Sequence, residues 1–243
     1  MRDSAPLVVF SHPAMTEAAS EPFRVRPYRP GDRQAIREIC AATCWMGQYR
    51  PEMIPDDWVW AEYWTRYFTD IEPEHTWVVE ESATGKVAGY LNGTTDERRF
   101  QAYVPRLMPG IVWHVIRRRL LRRPAARRAI LSMVQSMLRN EFRLPPGVER
   151  AYPATLHLDL LPNARGSGMG LRLFKAFRAR MEELGVPGIH VQPLSVNRIV
   201  KRFMGKAGFR LVASSPIRAF RHIEPGPVEL QTWVLDLGLK AKS

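Results

Sequence analysis

One segment constrains this chain more than any other: an apolar strand pattern leads into a loop with three glycines, and the loop leads into a helix pattern. It runs from Leu158 to Leu171 and reads LDLLPNARGSGMGL. A glycine-rich loop lets successive backbone N–H groups turn toward one point, and the N-terminus of the following helix adds partial positive charge. The segment therefore predicts an α/β fold that binds a phosphate group where the strand meets the helix.

The glycine spacing separates this loop from two common phosphate-binding motifs. Gly166, Gly168 and Gly170 do not follow the G-x-G-x-x-G pattern of a dinucleotide-binding loop, and the Lys-Ser/Thr ending of a P-loop is missing. A second interpretation, in which the glycines only form a tight turn, stays open.

The composition is that of a folded, basic protein. The chain has 243 residues, of which 45% are hydrophobic, so a fully disordered chain is excluded. The formal net charge is +12, and 30 of the 36 basic residues are Arg. A positive field favours nucleic acid and a phosphate-bearing cofactor equally, so charge alone does not choose between them.

The two cysteines predict the redox environment. Cys40 and Cys44 lie four residues apart on one predicted helix, without the further Cys or His that a zinc site needs. We therefore expect buried thiols, no metal and a reduced, cytoplasmic protein. The apolar run at residues 7–10 is too short for a signal peptide, and no segment approaches the ~20 apolar residues of a membrane span.

Periodicity and turn residues divide the chain into a flexible tail, residues 1–22, and a single domain, residues 23–243. A helical insertion is predicted at about residues 104–150, and Asp32 is expected to cap a first helix that carries Ile36 and Cys40. Further helices are predicted at residues 55–67, 111–121, 125–142, 170–184 and 197–207, and strands at residues 23–26, 76–80, 87–91, 155–161, 188–191, 209–213 and 228–237.

The glycine loop resembles a family motif. The run Arg165-Gly166-Ser167-Gly168-Met169-Gly170 is similar to the Arg/Gln-x-x-Gly-x-Gly/Ala pyrophosphate loop of the GCN5-related N-acetyltransferases. In that family an Asn opens the next helix and a Gly-Phe pair closes it, and Asn197 and Gly208-Phe209 stand at those positions. The element order agrees from about Phe23 to Leu237. Residues 28–32, 87–93 and 156–162 and the insertion look like bacterial relatives of the acetyltransferase-like domain of eukaryotic O-GlcNAc hydrolases.

The resemblance implies a fold, a cofactor and a reaction. The fold is a mixed, mostly antiparallel sheet of about seven strands flanked by helices, with the helical insertion before the fourth strand. The sheet splays between the fourth and fifth strands, where acetyl-CoA would bind, and the acetyl group would pass to a primary amine by direct attack in a ternary complex. The implied cofactor-binding residues are Leu158, Asp159, Leu160, Arg165, Gly166, Ser167, Gly168, Met169, Gly170, Leu171, Asn197, Phe203 and Met204.

One position departs from the family pattern. Many members have a Tyr seven residues after the Asn, where its hydroxyl protonates the departing thiolate, but this chain has Met204. A thioether cannot donate a proton. Three alternatives follow: water or another side chain acts as the acid, catalysis is weak, or the protein only binds CoA.

Candidate catalytic residues come from strand alternation. His157 and Asp159 lie on one face of the predicted fourth strand, and the flanking leucines lie on the other. Each has a structural alternative: Asp159 could bond a neighbouring loop, and His157 could be a core histidine. Tyr90 and Asn92, near the end of the third strand, are further candidates for contact with the amine.

The charges are segregated along the sequence. Nine acidic residues between Glu52 and Glu81 accompany one base, Arg66, and could attract a cationic amine or simply be solvated. A cluster of seven arginines, here called the arginine cluster, has three interpretations: a solvated helix face, a site for nucleic acid or another anionic partner, or a membrane-surface helix. Its members are Arg117, Arg118, Arg119, Arg122, Arg123, Arg127 and Arg128.

Overall fold

The computed structural model describes residues 21–52, 56–224 and 226–238. The predicted N-terminal tail falls almost entirely outside these ranges. The described residues form seven strands: β1 (Phe23–Pro27), β2 (Thr76–Glu81), β3 (Val87–Thr94), β4 (Ala154–Leu160), β5 (Gly188–Val191), β6 (Arg210–Pro216) and β7 (Glu229–Asp236). They also form seven α-helices: α1 (Arg33–Ala42), α2 (Asp57–Asp70), α3 (Glu97–Arg117), α4 (Pro124–Leu138), α5 (Val148–Ala151), α6 (Met169–Glu183) and α7 (Arg198–Ala207).

The strands form one mixed sheet in the order β1-β2-β3-β4-β5-β7-β6. Neighbouring strands are antiparallel except for β4 and β5. The largest core cluster packs α6 against one face of the sheet, through Leu173, Phe177 and Met181. A smaller cluster packs α1 against the other face, through Ile36, Cys40 and neighbouring residues. The predicted mixed, mostly antiparallel sheet flanked by helices is therefore confirmed.

The sheet opens between β4 and β5. These two strands pair only at Ala154 with Ile189 and at Thr155 with His190. On its other side β4 pairs with β3 along its length, from Thr155 to Leu160. The backbone edge of β4 beyond Thr155 therefore faces an opening, as the resemblance implied.

The helical segment before β4 begins earlier than its sequence indicates. The prediction placed a helix at residues 111–121, because the apolar residues there repeat at helical spacing. In the structure α3 begins at Glu97 and contains Pro105 and Pro109. The missing N–H groups leave the carbonyls of Gln101 and Pro105 without a helix donor, and both residues are exposed, so water can satisfy these carbonyls.

Three local predictions are corrected. Asp32 does not cap α1 with its side chain; it accepts hydrogen bonds from the Arg29 backbone N–H at 2.7 Å and from Arg26 instead. Cys44 lies just beyond α1, which ends at Ala42. Both cysteines are buried, as predicted. Helix α2 begins at Asp57, where Asp56 accepts a hydrogen bond from the Trp58 N–H, and it continues to Asp70.

Candidate functional site

A cavity of about 460 Å³ fills the opening between β4 and β5. Its walls come from both faces of the sheet, because β4 contributes both its leucines and the side chains that alternate with them. On the α6 side it is bounded by Leu158, Leu160 and Gly170, and on the opposite side by His157 and Asp159. The cavity therefore connects the glycine loop to the face that carries the polar pair.

The glycine loop has the geometry of an anion site. Gly166 and Gly168 have φ values of +78° and +82°, a left-handed conformation that favours glycine. Gly168 precedes the first residue of α6, and the first amides of a helix have no acceptor within the helix. Gly166, Ser167 and Gly168 are exposed. The loop therefore presents free amides and a helix N-terminus to the solvent.

The Arg165 side chain is held inside the protein rather than above the loop. Its Nε donates to the Leu160 carbonyl at 2.9 Å, and its guanidinium also donates to the Gly47 carbonyl. Gly47 has a φ of +83°, and a Cβ there would lie 2.9 Å from the guanidinium. Arg165 thus ties the loop to the segment after α1, and its backbone N–H donates to the Pro162 carbonyl at 3.3 Å, so its contact with a cofactor stays a prediction.

Helix α7 supplies the remaining predicted cofactor residues. Asn197 accepts a hydrogen bond from the Val200 N–H at 3.1 Å, which caps the helix, and Gly208 ends the helix at a φ of +85°. Phe203 and Met204 line the cavity beside Asn197. Met204 is otherwise buried in the core next to α6, and Phe203 packs edge-on against Phe174.

On the opposite face, Tyr90 joins the two candidate catalytic residues. Its hydroxyl donates to Asp159 Oδ2 at 2.8 Å and lies 3.0 Å from His157 Nδ1. Burial, together with the nearby Asp159 carboxylate, raises the pKa of the Tyr90 hydroxyl well above its usual range. Tyr90 therefore keeps its proton at neutral pH and acts as a donor to this pair.

Tyr90 and Asn92 do not line the cavity, although the sequence marked them for contact with the amine. Both side chains are fully buried. Direct contact with a substrate stays a prediction for either residue. In this structure Tyr90 contacts the site through His157 and Asp159, and Asn92 lies beside Thr76 in the sheet.

Cys40 lies closer to this site than the sequence indicated. One possible ligand atom from each of Cys40, His157 and Asp159 lies within 4.8 Å of the others, so the thiol does have a His and an Asp beside it. Burial, with a smaller contribution from Asp159, raises the pKa of the Cys40 thiol well above its usual range. The Tyr90 hydroxyl already donates to Asp159 Oδ2 and lies within hydrogen-bond distance of His157 Nδ1.

Two tryptophans of α2 form the aromatic wall of the cavity. The Trp64 ring stacks on His157 with centroids 5.1 Å apart and an interplanar angle of 19°. Trp60 packs on Trp64, and its buried indole Nε1 has no hydrogen-bond partner among the described residues. The helical spacing of these residues was visible in the sequence, but it indicated only a packed helix.

A second polar pair at the cavity was missed by the sequence analysis. His190 Nε2 lies 2.7 Å from Glu97 Oε2, and His190 Nδ1 faces the Tyr152 carbonyl. Both His190 and Glu97 line the cavity where β4 and β5 separate. Burial alone would raise the pKa of Glu97, but the hydrogen bond and the charge of His190 outweigh it and lower the pKa. Only the pairing of β5 with β4 brings these distant residues together.

None of the nine acidic residues from Glu52 to Glu81 lines the cavity, although apolar residues of the same stretch do. Several of its carboxylates pair instead with arginines from other elements: Glu62 with Arg37 at 2.6 Å, and Asp70 with Arg33 at 2.8 Å. Glu72 and Glu80 pair likewise with Arg99 and Arg26. The interpretation of this stretch as an attractor for an amine is therefore not supported, and the carboxylates that do line the cavity are Asp159 and Glu97.

No family model matches the chain. The crystal structure of SsHAT is 30% identical, with a TM-score of 0.64, over 88% of this chain and 98% of that one. A GCN5-related N-acetyltransferase from Kribbella flavida is 19% identical, with a TM-score of 0.53, over 90% and 100% of the two chains. YncA from Salmonella typhimurium, solved with its cofactor acetyl-CoA, is 16% identical, with a TM-score of 0.51, over 91% and 97%.

These matches span 88–91% of this chain and 97–100% of the matched chains. The two matches below 20% identity support the shared fold, and the 30% match adds sequence similarity over a comparable share of the chain. The motif of the glycine loop, the separation of β4 from β5 and these matches lead to one conclusion: the chain belongs to the GCN5-related N-acetyltransferase family.

Proposed function

We propose that this protein is an acetyl-CoA-dependent N-acetyltransferase that passes the acetyl group to a primary amine by direct attack within a ternary complex. The observation that carries the proposal is the cavity between β4 and β5, which extends from the glycine loop to the His157–Asp159 pair. Such a passage lets a cofactor and an amine approach one point from opposite faces of the sheet. The likeness to the O-GlcNAc hydrolase-related subgroup is part of the same proposal.

Acetyl-CoA would lie along the free edge of β4. The backbone of Leu158 to Leu160 is available for pairing, because β5 has already separated from β4 there. The pyrophosphate would accept hydrogen bonds from amides among residues 166–171, where the start of α6 adds favourable charge. Asn197, Phe203 and Met204 would form the wall on the other side of the pantetheine arm.

The amine must lose a proton before it attacks, because an ammonium group has no free electron pair. Tyr90 donates to Asp159, so the Tyr90 oxygen can accept a hydrogen bond from His157 Nδ1. In that arrangement His157 Nε2 carries the lone pair and is the candidate base. Asp159 would fix the network and compensate the positive charge that His157 gains.

The departing group needs less help than the amine. Ordinary thiols have a pKa of about 8.5, so a thiolate is a workable leaving group near neutral pH. Holding the amine against the thioester is the larger contribution, since well-oriented reactions gain on the order of 7–11 kcal/mol. A protein with Met204 in place of a proton donor can therefore remain active.

The walls of the cavity favour a small or peptidic amine as the acceptor. Trp60 and Trp64 offer aromatic surface for the carbon skeleton, and Asp159 and Glu97 are carboxylates that line the cavity. A cationic amine is attracted both by carboxylates and by the faces of aromatic rings. A nucleic-acid base offers neither a charge nor an aliphatic amine to these groups.

The test is a screen of amine pools for thiol release from acetyl-CoA. We expect release only when both acetyl-CoA and an accepted amine are present, with acetyl-CoA binding in the micromolar range, which is about −8 kcal/mol at 1 µM. Calorimetry that detects no binding of acetyl-CoA would exclude the proposal.

One observation favours a second candidate function. Met204 cannot donate a proton, so a protein that binds CoA without transferring the acetyl group is the alternative. Micromolar binding of acetyl-CoA without thiol release from any amine pool would support this alternative over the enzyme.

A further inference from the structure

Helix α3 presents apolar side chains on two faces. Phe100, Leu107 and Ile111 are buried against the rest of the protein. Met108, Val112 and Ile116 repeat every fourth residue on a second face, which is turned toward solvent, and all three are exposed. A helix that is apolar on both faces is normally buried on both.

The exposure of this second face is large. Trp113 is 65% exposed and Ile116 is 60% exposed. Isolated apolar residues are common on protein surfaces, but a continuous apolar stripe marks an interaction surface. We call the set Met108, Val112, Trp113 and Ile116 the α3 stripe.

Helix α4 repeats the arrangement. Leu131, Val134 and Leu138 share one face of α4, and Leu138 is 79% exposed. Arg127, one turn before Leu131, lies on the same face. Ala126, Ala129 and Ser136 occupy the buried face. We call Leu131, Val134 and Leu138 the α4 stripe.

The arginine cluster stands at the junction of these two helices. All seven of its members are exposed, and the ion pairs among the described residues use other cations. Residues 104–150 contain 11 arginines and two glutamates, so this segment carries most of the net charge of +12. The positive charge and the exposed apolar residues thus belong to the same part of the molecule.

We propose that the α3 and α4 stripes and the arginine cluster form a docking surface for a membrane that contains anionic lipids. Apolar side chains would enter the boundary between headgroups and acyl chains, with Trp113 at the depth that tryptophan prefers. The arginines would pair with the lipid phosphates and carboxylates, each contributing while it remains near the surface.

Two other occupants fit the surface less well. A nucleic acid would engage the arginines but would leave Val112, Ile116 and Leu138 in water. A second copy would cover the stripes but would bring two arginine-rich segments together, with only two glutamates on each to offset the repulsion. An anionic membrane complements both the apolar and the charged side chains.

This docking would be peripheral. None of the helices that the structure describes is long and apolar enough to cross a membrane. The stripes lie outside the cavity, so the proposal does not depend on acetyl transfer.

The test is co-sedimentation of the full chain with vesicles of phosphatidylcholine alone and of phosphatidylcholine mixed with phosphatidylserine. We expect binding to the mixed vesicles, much weaker binding to the neutral ones, and release as salt screens the charges. The double variant Trp113→Ser/Ile116→Ser should weaken binding to mixed vesicles about tenfold or more, because two anchoring side chains are lost. Arg118→Glu/Arg122→Glu should have a similar effect.

Matched variants keep the result specific. Leu211→Ser removes an exposed apolar side chain on β6, and Lys86→Glu/Lys175→Glu reverses two exposed charges, one before β3 and one on α6, away from the helical insertion. Both should bind mixed vesicles like the wild type. All variants alter exposed side chains, and a thermal melt confirms that each is folded.

Three results would overturn the proposal. The first is no binding of the wild type to the mixed vesicles, and the second is equal binding by the stripe variant. The third is a dimer in sedimentation equilibrium that Trp113→Ser/Ile116→Ser dissociates, which would assign the stripes to a second copy. If the first result is accompanied by binding to RNA, the arginines are assigned to nucleic acid.

Discussion

Asp159 and His157 are residues whose surroundings differ from those of their neighbours on the same strand. The alternate residues Leu156, Leu158 and Leu160 pack against α6, whereas Asp159 and His157 share the Tyr90 hydroxyl on the opposite face. The Asp159 carboxylate lines the cavity and accepts a hydrogen bond from a hydroxyl that keeps its proton at neutral pH. This arrangement favours a role in orienting the base over a role in packing.

We predict that Asp159→Asn lowers turnover about tenfold or more and leaves acetyl-CoA affinity nearly unchanged. An amide keeps the shape but cannot compensate the charge on His157. Turnover comes from steady-state kinetics with an accepted amine, and affinity comes from calorimetry.

The matched control is Asp70→Asn, which changes a carboxylate that pairs with Arg33 outside the cavity. It should lower turnover much less than Asp159→Asn. A parallel loss of affinity and of folding stability in Asp159→Asn would show that Asp159 is structural. An unchanged rate would remove it from the mechanism.

At the scale of elements, the loop between β4 and α6 contains glycines with different roles. Gly168 has a φ of +82°, so a side chain there is strained by about 1–2 kcal/mol in any case. Gly170 has an ordinary φ, and a Cβ there would make normal contacts of 3.6 Å and 3.7 Å with Leu160 and Phe203. Gly170 is therefore the position where a methyl group can be added without disturbing the fold.

We predict that Gly170→Ala keeps the stability of the wild type but weakens acetyl-CoA binding about tenfold, or about 1.4 kcal/mol. The added methyl would stand where the pyrophosphate approaches the backbone. Calorimetry measures the affinity, and urea unfolding measures the stability.

Gly168→Ala should weaken binding and stability together. Its control is Gly185→Ala, a glycine with a φ of +70° and open space around it at the other end of α6. That variant should lose stability to a similar extent and bind acetyl-CoA normally. Unaltered binding in Gly170→Ala would argue against a pyrophosphate at this loop.

Helix α3 supports a prediction about its prolines. Proline in a helix interior is about 3 kcal/mol less favourable than alanine, and its restriction of the unfolded chain offsets part of that difference. We expect Pro105→Ala or Pro109→Ala to raise the free energy of unfolding by about 1–2 kcal/mol in urea titrations.

Pro124 offers the matched control. It occupies the first turn of α4, where a helix needs no N–H from that residue. Pro124→Ala should therefore not stabilise the protein. Destabilisation by Pro109→Ala would indicate that the proline ring stabilises the folded state and would contradict this prediction.

At the scale of the whole molecule, the acidic residues are tied to arginines and histidines of distant elements. Four carboxylates have lowered pKa values: Asp32, Asp70, Glu80 and Glu97. Burial acts to raise these pKa values, but hydrogen bonds and charges from Arg26, Arg33 and His190 have the larger effect. At a pH between the folded-state and the unfolded-state pKa values of these carboxylates, the folded state therefore binds fewer protons than the unfolded state.

We predict that the free energy of unfolding is at its full value above about pH 5 and falls as the pH drops through 4 toward 3. The sign follows from the lowered pKa values: protonation of these carboxylates removes stabilising pairs from the folded state. Urea titrations at a series of pH values measure the slope. Glu80→Gln should reduce both the stability at neutral pH and the slope below pH 5, and a stability that is constant from pH 5 to pH 3 would contradict the prediction.

Much of the fold and of the cofactor side could be read from local sequence. The glycine loop, the alternation along β4 and the Asn197 cap each depend on residues within about a dozen positions of one another, so a pattern suffices to predict them. The strands and most helices were correct to within a few residues for the same reason. The prediction for the first turn of α1 was wrong, because Asp32 accepts a hydrogen bond from Arg26 instead of capping α1.

Only the tertiary structure shows which residues surround the face of the cavity that carries His157 and Asp159. The Glu97–His190 pair joins residues 93 positions apart, and the Trp64–His157 stack joins two elements on either side of the helical insertion. The partners of the acidic stretch likewise come from α1, β1 and α3. By itself the sequence determined that the chain has a glycine-rich loop between a strand and a helix of an α/β sheet, because backbone conformation and helix ends are local properties. Which side chains face the cavity depends on packing between distant segments, and that is fixed only when the sheet closes around the opening between β4 and β5.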